Sequence, residues 1–203
     1  MEVIKKIVGL LGANCYIIRN QQYAIVIDPG GNPELIYPEI GHRQLLYIIN
    51  THGHYDHIGA NNELKARYDT RLVCHRDEYE VLLNPALNLS EIVELPFISV
   101  VPDILVTDGE TLDIPGSTLK ILHTPGHTKG SISIKMDKAL FSGDTLFFRS
   151  VGRTDLPMGS FKELEKSIKE KLYILPDDTT VYTGHGENTT IGEEKKYNEF
   201  VKP

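Results

Sequence analysis

LLYIIN (residues 45–50) runs straight into THGHYDH (residues 51–57). A continuous apolar run of this length reads as a strand buried on both faces, the pattern of a parallel sheet. The loop it feeds carries His52, His54, Asp56 and His57. Burying that much polarity without a partner is costly, so the cluster asks for a cation. In an extended segment alternate residues point to one side, which lets the imidazoles of His52 and His54 meet one ion. Asp56 and His57 stand at the mouth of the next helix and can turn toward a second position.

Further along the chain, three more loops follow predicted strands and each offers one donor. They are His127 in Thr124-Pro125-Gly126-His127, Asp144 in Ser142-Gly143-Asp144 and His185 in Thr183-Gly184-His185-Gly186. The glycines let the backbone turn tightly and let a ligand side chain approach. Seven donors in all (His52, His54, Asp56, His57, His127, Asp144, His185) are too many for one tetrahedral site and suit two sites sharing a carboxylate. Mixed imidazole and carboxylate ligation fits two divalent ions: zinc first, with iron, manganese or cobalt as alternatives. A water between two such ions can be hydroxide at neutral pH, since one zinc already brings its pKa to ~7. The chemistry indicated is hydrolysis without a serine or cysteine nucleophile. His42, His75 and His123 read as structural, Cys74 as a small buried hydrophobe, and Glu193-Glu194-Lys195-Lys196 as a solvated helix face.

Outward from the loop, Val3–Val8, Asn14–Ile18, Tyr23–Ile27, Arg71–Cys74, Thr118–Leu122, Ser131–Lys135, Ala139–Phe141 and Thr180–Tyr182 read as strands. Helices are expected over Ile58–Tyr68, Asp77–Leu83, Ser160–Leu172 and Glu193–Phe200. In the third of these, Ser160 is the N-cap, Glu163 sits at the capping-box position, and Phe161, Leu164, Ile168 and Leu172 share one side. Residues 84–103 show no periodicity and read as a surface segment that is either a lid or an interface. The pattern is α/β, two strand-rich halves with helices outside, in one domain spanning 1–203. The chain has 203 residues, 40% apolar and 24% charged, enough for a core without staples. A net charge of -7 argues against a basic face for nucleic acid, and the two cysteines, Cys15 and Cys74, exclude a disulfide framework. No run reaches the ~20 apolar residues of a membrane helix, and no secretory leader is legible, so a cytoplasmic protein is expected.

THGHYDH resembles the THxHxDH signature of the metallo-β-lactamase superfamily. Pro125-Gly126-His127-Thr128, Gly143-Asp144-Thr145 and Gly184-His185-Gly186 are similar to its later motifs, in the same order. The resemblance implies a four-layer αββα sandwich. It implies that His52, His54 and His127 hold one metal, that Asp56, His57 and His185 hold the other, and that Asp144 bridges them. Asp28, in Asp28-Pro29-Gly30-Gly31, matches an acid that supports the site from behind its ligands. Within the superfamily, the Asp144-Thr145-Leu146-Phe147 stretch is similar to glyoxalase II, which hydrolyses S-2-hydroxyacylglutathione. Gly152-Arg153-Thr154-Asp155-Leu156-Pro157 resembles short bacterial hydrolases of that type. Arg153 then stands where glyoxalase II has a lysine that contacts glutathione, while Gly186 and Asp155 stand where it has tyrosines. The basic C-terminal extension of that enzyme has no counterpart after His185. The implied activity is thioester hydrolysis of a small molecule, with Asp56 orienting the nucleophile. Its competitor is a persulfide dioxygenase with one iron, which shares the GRTD segment. Nuclease, β-lactamase and flavodiiron readings fit less well: the chain is acidic and compact, Asp144 occupies the bridging position, and no flavin domain follows.

Overall fold

The computed structural model describes residues 1–203. Contacts divide them into two compact units, Met1–Leu105 and Val106–Pro203.

In the first unit the chain runs β1 (Glu2–Val8), β2 (Ala13–Arg19), β3 (Tyr23–Ile27), α1 (Pro33–Ile40), β4 (Gln44–Ile49), α2 (Tyr55–Ile58), α3 (Asn61–Arg67), β5 (Arg71–His75), a 3-10 turn at Arg76–Glu78, α4 (Tyr79–Leu83) and β6 (Ile104–Val106). The strands form one sheet in chain order. β1 to β3 are antiparallel hairpin neighbours, whereas β4 lies parallel to both β3 and β5. Parallel pairing explains the unbroken apolar run at 45–50, because crossover helices cover the sheet. Cys15, Ile17, Val26, Ile48 and Leu72 meet Ile36 and Ile40 of α1, Leu64 of α3 and Leu82 of α4 in one core. Tyr16, Ile18, Ile25, Ile27 and Ile49, the alternate residues, are buried on the other face. Each such side chain contributes about 1.5–3 kcal/mol when fully buried.

The second unit carries β7 (Thr111–Ile114), β8 (Ser117–His123), β9 (Ile132–Met136), β10 (Ala139–Gly143), a small hairpin β11–β12 (Leu146–Phe147, Ser150–Val151), α5 (Phe161–Ser167), a π-helical turn (Ile168–Leu172), β13 (Thr180–Thr183), β14 (Thr189–Thr190) and α6 (Ile191–Tyr197). The main sheet runs β14-β13-β10-β9-β8-β7, with β10 and β13 parallel. Leu140 and Val181 of that sheet pack with Leu164, Ile168, Leu172 and Ile191.

Several expectations needed correction. α1 lies between Ile27 and Leu45, where no helix was expected, and it contains Pro38. The helix expected at 58–68 is interrupted at Gly59-Ala60, and the one at 160–172 changes to π geometry after Ser167. Ser160 does accept from the Glu163 amide, but its own N–H bonds Gly126 O, so no reciprocal capping box forms. Phe161 is exposed rather than aligned with the core. Glu194 is not solvated: it is fully buried, accepting from the Arg149 amide, Thr189 Oγ1 and Asn198 Nδ2. No helix is long and apolar enough to cross a membrane. Burial, and secondarily Asp28 or Glu78, push the Cys15 and Cys74 thiols up, so both remain neutral core groups.

Candidate metal centre

The first unit delivers its candidate donors from the loop between β4 and α2, His52 and His54, and from α2 itself, Asp56 and His57. Asn50 leaves the strand, and Thr51 anchors the loop to Asp28, whose carboxylate accepts from the Thr51 amide (2.7 Å) and hydroxyl (2.6 Å). Asp28 lies at the end of β3 with φ 52°, in the left-handed region, and is 1% exposed. The same carboxylate meets His57 Nδ1 at 3.1 Å. A carboxylate only accepts, so His57 Nδ1 carries the proton and Nε2 the lone pair. The Thr51 hydroxyl spends its proton on Asp28, so at the 3.1 Å contact with His52 Nδ1 its oxygen is the acceptor. Asp28 thereby fixes the tautomer of both His52 and His57. The ring centroids of His52 lie 4.8 Å from His54 and 4.2 Å from His57. Asp28, His52 and His57 together offer atoms close enough to share one cation.

The second unit supplies its donors from three separate loops. His127 follows β8, Asp144 follows β10 and His185 follows β13. His127 Nδ1 donates to the Arg153 backbone carbonyl at 2.7 Å, which again leaves Nε2 as the lone-pair nitrogen. His127 Nε2 and His185 Nε2 stand 3.6 and 3.7 Å from Asp144 Oδ2. Glycines permit this crowding. A Cβ on Gly184 would lie 2.0 Å from Asp144 Oδ1, one on Gly152 1.7 Å from the Asp144 carbonyl, and one on Gly126 2.3 Å from Leu164 N.

The arrangement suits divalent metal. His57 Nε2 faces Asp56 Oδ2 at 3.4 Å, and the two contacts to Asp144 are longer still. Charge-assisted hydrogen bonds are shorter, ~2.7–2.9 Å. On His57 and His127 the proton is committed to Nδ1, so the Nε2 atoms present lone pairs to carboxylate oxygens. A cation between such a nitrogen and oxygen relieves the opposition and matches the ligand chemistry of zinc or iron.

The remaining sequence candidates are placed as follows. Arg153 donates two bonds of 2.9 Å to Asp155, and its side chain is 68% exposed. His75 is buried and accepts from the Asp77 amide, and His123 Nε2 bonds Lys129 O. Two participants went unnoticed in the sequence. The Arg153 carbonyl acts through the backbone, which leaves no side-chain signal. Glu78, fully buried, accepts from the Gly53 amide at 2.7 Å. Its signal was available: it lies three and four residues before Val81 and Leu82, on the apolar face of that segment.

Comparison with known proteins bears on these features. Residues 8–185 match the family model described as the metallo-beta-lactamase superfamily. The hydroxyacylglutathione hydrolase GloC of Haemophilus influenzae is 37% identical over 195 residues, covering 93% of this chain and 92% of that protein. Among solved structures, BLEG-1 B3 metallo-beta-lactamase is 37% identical with a TM-score of 0.94 and full coverage of both chains. TTHA1623, solved in a di-iron-bound form, is 31% identical with a TM-score of 0.85, covering 98% of this chain and all of that one. ETHE1 from Myxococcus xanthus is 27% identical with a TM-score of 0.81, covering 98% of this chain and 84% of its own. The fold implied by the motifs is thus the fold these structures share with the chain, and its histidine and aspartate clusters are compatible with a divalent metal site. On the span of the family match and the identity to full-length relatives, the chain belongs to the metallo-β-lactamase superfamily of metallo-hydrolases.

Proposed function

We propose that this chain hydrolyses small-molecule thioesters of the hydroxyacylglutathione type with two divalent ions, zinc or iron, held by His52, His54, Asp56, His57, His127, Asp144 and His185. The observation that carries the reading is the set of Nε2 lone pairs directed at Asp56 and Asp144 while Nδ1 protons are tied to Asp28 and to the Arg153 carbonyl. The similarity to GloC supports the substrate class. Bound ions would lower the pKa of a coordinated water toward ~7 and polarise the thioester carbonyl.

The chain's own residues do the rest. Asp28 and Thr51 fix the tautomers and directions of His52 and His57. Asp56, 6% exposed at the first turn of α2, accepts a hydrogen bond from the attacking water and aims its lone pair at the acyl carbon. Arg153, at the surface, exchanges its pairing with Asp155 for a carboxylate of the thiol carrier. A cavity of about 340 Å³, lined by Leu10, Tyr55, Leu95, Phe97 and glycine backbone, opens beside Tyr55, the residue between His54 and Asp56. It is within the ~300–1,000 Å³ of small-molecule sites and offers the acyl group an apolar wall. Leu95 and Phe97 give residues 84–103 a part in substrate contact.

A second reading, a one-iron persulfide dioxygenase, draws on the likeness to ETHE1. One experiment separates the readings. Metal per chain is counted, and the loaded protein is offered S-lactoylglutathione, acyl-coenzyme A thioesters, glutathione persulfide with an oxygen electrode, and a chromogenic β-lactam. Two ions with thioester cleavage are expected. One iron with oxygen uptake replaces this reading with the dioxygenase, and β-lactam opening alone replaces it with the activity in BLEG-1's name.

A further inference from the structure

We infer that Glu78 is a positioning residue for the His52/His54 half of the metal site, acting through the backbone of Gly53. Three observations converge on it. Glu78 is a fully buried carboxylate, and its Oε2 accepts from the Gly53 amide at 2.7 Å, the length of a charge-assisted bond. Gly53 is packed against the same short segment: a Cβ there would meet Val81 Cγ1 at 2.7 Å, Glu78 Oε2 at 2.9 Å and Leu82 Cδ1 at 2.9 Å. The segment is itself pinned, since His75 at the end of β5 caps the 3-10 turn by accepting from the Asp77 amide.

The physical consequence follows from chain geometry. His52 and His54 flank Gly53, so the orientation of the Gly53 peptide sets the directions in which both imidazoles leave the backbone. A glycine is otherwise the loosest residue in the loop. Glu78 removes that freedom at the Gly53 amide, while Asp28 accepts from the Thr51 amide two residues earlier. A hydrogen bond made to a peptide, not to a ring, thus aligns two ligands at once.

The inference rests on the two-metal reading above. Wild-type, Glu78→Ala and Glu78→Gln proteins are stripped of metal and titrated with cobalt(II), reading its visible absorption, and metal per chain is counted after zinc loading. Glu78→Ala is expected to weaken one of two sites by ~10–100-fold and to shift the cobalt bands of that site. Glu78→Gln keeps an acceptor oxygen and is expected to retain both ions with bands like wild type. Wild-type affinity at both sites in Glu78→Ala overturns the inference, as does a loss in Glu78→Gln as large as that in Glu78→Ala. Should Glu78→Ala lose its fold by circular dichroism, Glu78→Asp, which withdraws the acceptor by one methylene, takes its place: weakening at one site supports the inference, and none overturns it. Wild-type protein that binds no second ion would sink the two-metal reading itself, whereas wild-type affinity at both sites in every variant sinks only the role of Glu78.

Discussion

The two units supply their donors in opposite ways. In the first, all four candidates come from one short stretch, residues 52–57, and side chains hold it: Asp28 at Thr51 and His57, Glu78 at Gly53. In the second, His127 and His185 stand 58 positions apart, and the supports are backbone: the Arg153 carbonyl and the glycines at 126, 152 and 184. A set held by side chains fails when atoms are removed. One held by close backbone approach fails when atoms are added.

The sharpest way to break this contrast is at Asp144, the carboxylate faced by both His127 and His185. Asp144→Ala is expected to lower metal below two per chain and to cut thioester turnover by more than ~100-fold, beyond the effect of losing a supporting partner. Normal metal content by mass spectrometry would remove Asp144 from the donor set. Next comes an added atom. Gly184→Ala places a Cβ 2.0 Å from Asp144 Oδ1 and against Gly143 backbone, so the carboxylate can yield only by leaving its place facing His127 and His185. Its activity is expected to approach that of the Asp144 variant, whereas Gly186→Ala, with open space but φ 71°, costs only the ~1–2 kcal/mol of left-handed backbone. Equal loss in both glycine variants would show that crowding is not the controlling factor.

On the side-chain-held flank, Asp28→Asn keeps the volume but removes the charge that fixes two imidazoles. Zinc affinity by competition with a chelator is expected to fall ~10–100-fold. An Asp28→Asn protein with unaltered affinity would mean that the loop holds itself. The smallest effect lies away from both sets. A hydrogen bond from Lys6, and then the charges of Lys6 and Arg19, hold Glu39 below its ordinary value against the opposing effect of burial. A lowered folded pKa stabilises the native state above the unfolded value, ~4.3, and that support fades as pH falls through the folded one. Glu39→Gln is therefore expected to cost under ~1 kcal/mol near neutrality and to flatten the loss of Tm below pH 4, leaving metal content unchanged. A change in metal content would tie this ion-pair cluster to the site and blur the contrast.

The same contrast governs what could be read before the fold was known. The strand at 45–50 and the buried His and Asp cluster at 52–57 were legible because periodicity, burial and chemistry coincide in one stretch. β2, β3, β5 and β8 were recognised from their β-branched runs, with ends within a residue or two. α1 was not, because Asn32 at its cap is left-handed and Pro38 lies inside it, and a proline at that position reads as a breaker. The short strands β6 and β7 carry too few residues for a period to emerge. Phe161 keeps helical spacing with Leu164, but on the first turn of α5 it projects to solvent. Glu194 was read as surface because its neighbours Glu193, Lys195 and Lys196 are. Its burial is made tolerable by backbone and hydroxyl donors that no pattern of side-chain polarity announces. His127 and His185 could be picked out as candidate donors from their glycine-containing loops after strands, but nothing in the spacing indicates that the Arg153 carbonyl orients His127.

The tight packing at Gly53 has an evolutionary corollary. A Cβ at position 53 would lie 2.7 Å from Val81 Cγ1 and 2.9 Å from Glu78 Oε2 and Leu82 Cδ1, so a methyl group there requires those side chains to shift or one of them to shrink. Lineages that carry alanine between the paired histidines should therefore carry a smaller residue at 81 or 82. Gly53→Ala, damaging alone, should recover in part when joined to Leu82→Ala or Val81→Ala. The identity of the residue between two candidate ligands would then be dictated by the helix packed against it.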